Sequence, residues 1–274
     1  MGKKYTRKNK NFVEFLGNFY NANAEPLSGP YTEIVRRKNY NFVASLAHLD
    51  ETRSRKDAHF CTGILISHKH ILTNEHCISE EATVSDFVIY LGSYEIDRAK
   101  MYSPCDFITY DQYKFKKDNL PMNLEVDDVA IITLCKSVDS EIASPAKLLW
   151  EDLNSIPKSD EVMVLGWGAL EDSSKPSYLK SGKFNRVNKE TCERLINWRA
   201  VAKNKILCTV AKACIFTTPG DSGSPLMDLK NHVIGITTGT CFVSRNQPGL
   251  RINTHANTIF YKEFIIKYLG NPSN

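Results

Sequence analysis

An all-β fold closed by one C-terminal helix is what this sequence predicts. Three observations carry the expectation: many short apolar or alternating segments, turn residues between them, and a single stretch of helical periodicity at the end. Segments of this kind occupy residues 42–46, 62–66, 87–91, 130–134, 161–165 and 232–237. Runs of four to six such residues broken by turns read as the strands of a sandwich or barrel, because βαβ units would need long amphipathic helices between them. Residues 137–158 lack strand patterning and predict a bridge between two halves, the first over about 40–136 and the second over about 160–255. From 258 to 268 the apolar residues recur at three- and four-residue steps, and Gly270 with Pro272 stops the pattern, so a helix is expected over about 257–269.

Composition narrows the classes. With 274 residues, 42% hydrophobic and 24% charged, the chain has the make-up of one large globular domain or two small ones. The formal net charge of +4 is concentrated at the start, where Lys3, Lys4, Arg7, Lys8 and Lys10 stand without an acid. The rest is near neutral, which excludes a nucleic-acid-binding surface spread over the whole body. Residues 1–33 read as a basic N-terminal segment, a signal or pro segment in its order of basic head, apolar run and small residues at Ala22 and Ala24. Glu14 and Asn18 interrupt that apolar run. No stretch is long and apolar enough to span a bilayer as a helix. Eight cysteines, none in Cys-x-x-Cys or zinc-type spacing, read as disulfides of an oxidising compartment and predict a secreted protein without a metal site or cofactor. Buried free thiols are the competing reading.

The chemistry is concentrated in three places. Gly220-Asp221-Ser222-Gly223 sets a serine among glycines, where backbone amides can gather around its hydroxyl. Upstream stand His76, in Thr73-Asn74-Glu75-His76-Cys77, and Asp128, in Asp128-Val129-Ala130-Ile131. A serine hydroxyl is a weak nucleophile and needs a base held in one tautomer. His76 is the candidate base and Asp128 the candidate orienting acid, with Asp127 a competing carboxylate. The N–H groups of Gly220 and Ser222 suit an oxyanion. Each feature alone is ordinary: a structural histidine, a strand-capping aspartate, a turn serine. In this order, across two halves, they form a constellation at an interface, where clefts commonly lie.

Together these motifs resemble the chymotrypsin/trypsin family of serine proteases over roughly residues 42–268. The resemblance is carried by Cys61-Thr62-Gly63-Ile64-Leu65, Leu72-Thr73-Asn74-Glu75-His76-Cys77, Asp128-Val129-Ala130-Ile131-Ile132, Gly166-Trp167-Gly168, Gly220-Asp221-Ser222-Gly223-Ser224-Pro225 and Pro248-Gly249. It implies a protease domain over 34–274 built from two packed six-stranded Greek-key β-barrels with a C-terminal helix. It also implies the pairings Cys61–Cys77, Cys105–Cys135, Cys192–Cys208 and Cys214–Cys241. The activity implied is a serine endopeptidase of protein or peptide substrates, open to protein protease inhibitors and matured from a zymogen. The alternative is a homologue that binds or regulates without turnover.

Four departures qualify this. Ile34-Val35 is the nearest match to the family's activated terminus, yet Arg36-Arg37 replace its glycines. Cys214 stands eight positions before Ser222, so the base of the specificity pocket is Lys212 counted from the cysteine or Phe216 counted from the serine. Neither is an aspartate, which predicts a preference for large apolar or aromatic side chains over Lys and Arg, or less readily for acidic ones through Lys212. Thr238 replaces a serine and is expected to reach Asp128 with its hydroxyl, followed by Gly239, which with Gly249 lines the pocket walls. Asn74-Glu75 replace two alanines, so larger polar groups must find partners there.

Overall fold

A computed structural model describes residues 25–26, 32–35, 38–78, 83–118, 127–150, 161–170, 172–196, 204–211, 215–242 and 251–269. The expected signal stretch at 1–24, Lys212, Cys214, Gly249 and the helix stop at Gly270 and Pro272 lie outside them, as does the side chain of Cys241.

Alternating segments pair into one main sheet in each half. The first half contributes β3 (Val43–His48), β4 (His59–Ser67), β5 (His70–Thr73), β6 (Phe87–Leu91), β7 (Lys100–Tyr102), β8 (Pro104–Thr109) and β9 (Ala130–Leu134). They form one antiparallel sheet in the order β7-β6-β3-β4-β5-β9-β8. The second half contributes β10 (Glu161–Gly166), β11 (Lys180–Val187), β12 (Ile206–Ala211), β13 (Ile215–Phe216), β14 (Pro225–Met227), β15 (Val233–Phe242) and β16 (Arg251–Asn257). Here the order is β10-β14-β15-β16-β12-β11, and β10 pairs with β11 in turn, closing a six-stranded barrel. The first half curls with seven strands and an open seam. Its end strand β7 is three residues long, and Pro104, which opens β8, has no N–H to give to a closing ladder.

Two strands precede this frame. β2 (Thr32–Ile34) adds to the barrel edge with Ile34 opposite Lys180, and β1 (Glu25–Pro26) runs parallel to β13. Residues 32–33, expected in a pro segment, are therefore part of the second sheet. Among the described residues four short α-helices complete the fold: α1 (Arg55–Ala58), α2 (Tyr110–Asp118), α3 (Lys189–Ile196) and α4 (Lys262–Leu269). The C-terminal helix begins later than its periodicity suggests, because β16 runs through Asn257 and the next residues fold back as a turn on the Asn257 carbonyl. α2 and α3 were not anticipated. The side chain of Asn188, accepting from the N–H of Thr191 at 2.8 Å, is the capping signal that marks α3.

One apolar cluster runs through both halves, joining Leu46, Ile64, Leu72 and Ile131 to Leu165, Trp167, Met227 and Phe264. Disulfides Cys61–Cys77, Cys105–Cys135 and Cys192–Cys208 are formed, as the family resemblance implied.

The halves are also pinned by a charged joint at Asp127. Its carboxylate accepts from Lys114 of α2 and from Lys205 ahead of β12, each at 2.5 Å, and from the Tyr261 hydroxyl at 3.1 Å. Its side chain is 2% exposed and those of the lysines 19% and 13%. Removing the centre of such a network leaves Lys205 without its carboxylate at a largely dry interface and Lys114 with Asp111 alone. Asp127→Ala is expected to lower stability by about 3 kcal/mol in urea unfolding, with Asp127→Asn losing less. An unchanged midpoint in Asp127→Ala would show that the joint is ornamental.

Candidate active site

His76 lies in a single-turn 3-10 helix, Glu75–Cys77, directly after β5. Three links fix the turn. Cys77 is bonded to Cys61 of β4, Asn74 donates its side-chain amide to the Asp128 carbonyl at 2.9 Å, and the His76 N–H donates to Asp128 Oδ1 at 2.9 Å. The other carboxylate oxygen, Oδ2, lies 2.8 Å from His76 Nδ1. A carboxylate only accepts, so Nδ1 carries the proton and Nε2 is left with its lone pair, the form a general base requires. Burial lowers the imidazole pKa, but the hydrogen bond and charge of Asp128 outweigh it and hold it above the ordinary histidine value. Asp128 is thus the carboxylate bonded to the imidazole, and Asp127 faces away into the joint just described.

Ser222 sits in a turn built by its neighbours. The Asp221 N–H donates to the Thr218 carbonyl at 2.9 Å across Pro219-Gly220, and Gly220 has φ +102°. Proline followed by a glycine of positive φ is the signature of a type II turn. The Pro219 carbonyl accepts from the Ala169 N–H at 3.0 Å, so the N–H of the same peptide, that of Gly220, points the opposite way. The Gly220 carbonyl accepts from His59 Nε2 at 3.1 Å and from the Thr62 hydroxyl at 2.8 Å. Because that carbonyl can only accept, His59 is protonated on Nε2, and its Nδ1 accepts from the Ser45 hydroxyl at 2.8 Å. The Ser222 carbonyl accepts from the Thr62 N–H at 2.7 Å. Gly223 has φ +85°, and a Cβ there would fall 1.8 Å from the Thr62 carbonyl oxygen. Only glycine allows this approach of the serine loop to β4.

Asp221 is fully buried. It accepts at Oδ1 from the Gly168 N–H at 2.9 Å and at Oδ2 from the Thr218 N–H at 2.8 Å and hydroxyl at 3.1 Å. Burial pushes its pKa up to about 6, against the lowering effect of these bonds and of the Lys175 charge. Glycine at 166 and 168 leaves the room, since a Cβ at either would lie within 2.2 Å of this carboxylate.

β4 therefore ties both the Ser222 loop, through Thr62, and the His76 turn, through Cys61. No hydrogen bond joins the Ser222 hydroxyl to His76 in the free protein. With this geometry in view, the family profile described as Trypsin matches residues 34–262. The chain belongs to the trypsin family. It is 29% identical to rat (Rattus norvegicus) chymotrypsin-C over 193 residues, 69% of this chain and 68% of that protein. To mouse (Mus musculus) chymotrypsin-C it is 30% identical over 173 residues, 61% of each. Among solved structures it superposes on neuropsin, a serine protease of mouse brain, with a TM-score of 0.66 at 19% identity, covering 86% of this chain and 97% of that one. The VesB protease of Vibrio cholerae gives 0.66 at 16% identity, covering 87% and 67%.

Within this trypsin-family frame the remaining expectations fall unevenly. Phe216 lies on β13, half-buried, with the Arg251 guanidinium 3.7 Å from its ring centroid. A Cβ at Gly239 would meet nothing within 4 Å, which fits an open wall. Thr238 departs from expectation. A bulge between Thr237 and Gly239 leaves it without a partner across the ladder, and its hydroxyl turns back to the Ile236 carbonyl at 3.5 Å rather than to Asp128. Ile34-Val35 lies within the β2–β11 pairing, with the Val35 N–H on the Leu179 carbonyl at 2.8 Å, and does not approach Asp221 as a chain end. The ligand atoms of Cys61, His76 and Cys77 cluster within 4.8 Å, but the two sulfurs are bonded to each other and offer no thiolate to a metal. The supports missed in the sequence are His59, Ser45, Thr62 and Lys175, whose Nζ donates to the His59 carbonyl at 2.9 Å. No local motif marks them.

His59 and His255 are both fully buried, and burial lowers each pKa to about 3. Between about pH 6.5 and 3 the unfolded chain therefore binds two protons that the folded one does not, and stability falls with pH by up to about 1.4 kcal/mol per unit for each histidine. Asp221 and Glu75, their folded pKa values raised by burial to about 6 and about 7, act oppositely below those values and offset the two histidines down to about pH 4.5. Urea midpoints are expected to change little between about pH 6 and 4.5 in the native protein, and in His255→Gln to rise as the pH falls through that window. A variant slope equal to the native one would contradict the assignment.

Proposed function

We propose that this trypsin-family chain is a serine endopeptidase acting through an acyl-enzyme, with His76, Asp128 and Ser222 as catalytic residues. The observation that supports it most is the His76–Asp128 contact at 2.8 Å, which holds the proton on Nδ1 and leaves the Nε2 lone pair to accept one. In this reading Ser222 Oγ attacks the substrate carbonyl as its proton passes to His76 Nε2. The Gly220 and Ser222 N–H groups stabilise the oxyanion, a donor of this kind contributing about 3–4 kcal/mol. His76 then gives the proton to the leaving amine, the C–N bond breaks, and water repeats the sequence to release the acid and restore Ser222. The distance between serine and histidine closes when substrate docks, as is common for catalytic hydrogen bonds in free enzymes.

The specificity proposed is not for Lys or Arg. Phe216, the pocket base when counted from the serine, packs against the Arg251 guanidinium and offers no carboxylate to a basic side chain. Large apolar or aromatic residues fit that surface better. Protein or peptide substrates, and protein inhibitors that dock as substrates do, are the partners this implies. The disulfides support an extracellular setting. Among the described residues no helix is long and apolar enough to cross a membrane.

The missing serine–histidine bond also favours a second reading, a homologue that binds without turnover. Fluorophosphonate labelling of the full chain separates the two. Labelling is expected in the uncut protein, because Asp221 and the Gly220 turn already have their partners in the continuous chain, and Ser222→Ala is expected to abolish it. Folded protein that stays unlabelled before and after limited proteolysis would support the binding reading. In a peptide library, cleavage is expected after large apolar or aromatic residues; cleavage confined to Lys and Arg sites would refute the pocket assignment.

A further inference from the structure

Glu75 is the titratable group of the histidine turn that the proposed mechanism leaves unused. It immediately precedes His76, and its carboxyl is turned inward, with Oε2 buried and without a hydrogen-bond partner. The charges acting on it are negative: Asp111 of α2, and Asp127 and Asp128 ahead of β9. Only the Thr109 hydroxyl, at the end of β8, favours its ionised form among these neighbours.

The cations of this region are committed to other carboxylates. Lys114 lies 2.6 Å from Asp111 and 2.5 Å from Asp127, and Lys205 lies 2.5 Å from Asp127. Tyr261 gives its hydroxyl to Asp127 as well, and Asp128 is engaged by His76. Of the four carboxyls packed together, Glu75 is the one left without a cation or an N–H. An ionised Glu75 would be a half-buried charge facing three like charges, which favours the acid form. Burial first, then Asp111 and Asp128, push its pKa up to about 7.

We propose that Glu75 is a positioning residue for the His76–Asp128 couple: protonated, it leaves Asp128 as the sole anion orienting the imidazole, and ionised, it adds a second negative charge that holds the proton on His76. The inference rests on His76 being the general base. The two groups then titrate as a coupled pair, and the acid limb of the pH–rate profile reports both. A filler of the same shape without charge would not move that limb.

The test uses the full chain carrying Ser222→Ala, followed by NMR of the Glu75 side-chain carboxyl and the His76 imidazole across about pH 4 to 9, with and without Glu75→Gln. The Glu75 carboxyl is expected to titrate at about 7. In Glu75→Gln the His76 midpoint is expected to drop by roughly 0.5 pH unit, and in the enzyme with Ser222 intact the matching gain in relative kcat/KM is expected around and above about pH 7, where Glu75 is ionised, and not well below it. A Glu75 carboxyl titrating near the free value of about 4.3, or a His76 midpoint that does not move, would overturn the proposal. Should Glu75→Gln fail to fold, the carboxyl titration in Ser222→Ala alone decides it. Neither titration requires turnover, so an unlabelled Ser222 would remove the endopeptidase reading while leaving the Glu75–His76 coupling to be judged separately.

Discussion

The hydrogen bond from the Thr62 N–H to the Ser222 carbonyl is the contact on which the cleft depends. It lies in a run of four residues at the start of β4 that serves three purposes at once. His59 and the Thr62 hydroxyl hold the Gly220 carbonyl, Cys61 holds the turn carrying His76, and the Thr62 backbone holds the serine loop. The second half can close its barrel without the first, but its Ser222 loop borrows its shape from this strand. Thr73 adds to the seam by donating its hydroxyl to the Thr62 carbonyl at 2.8 Å, so β5, which leads into His76, is locked to the same residue.

Much of this was legible in the sequence, and the parts that were not share a physical cause. The β-strand segments and the disulfides at Cys61, Cys105 and Cys192 follow from pattern and resemblance. So does the order His76, Asp128, Ser222, because each motif carries its own local context. Pro219-Gly220 is likewise a local signal, a turn type written in two residues. What the chain did not disclose depends on partners far away in sequence. His59 meets Gly220 161 residues on, and Lys205 meets Asp127 across 78. A lone histidine two residues before a cysteine gives no hint of either end of its hydrogen-bonded relay. Thr238 misled for a different reason: one bulged residue changes which way a side chain faces, and nothing in the order of amino acids announces the bulge.

The adjacent aspartates 127 and 128 show how one register step divides labour. Backbone pairing begins at Ala130 in β9, so the two preceding side chains leave the chain in different directions. One enters a dry joint with two lysines and a tyrosine, and the other reaches the partly solvated rim beside the imidazole. The same seam thus supplies mechanical anchorage and chemical orientation from consecutive residues. The large side chains of Asn74 and Glu75 are accommodated at that boundary, Asn74 by bonding the Asp128 backbone and Glu75 by facing the carboxyls inside.

Strand β2 carries a topological consequence. The chain lies on the edge of the second sheet at residues 32–34, departs to build the entire first sheet, and returns to the second at Glu161. The first half is in effect a long excursion anchored at both feet to the same body, rather than a neighbour on a single tether. Prising the halves apart would require peeling β2 from β11, in addition to separating the shared core.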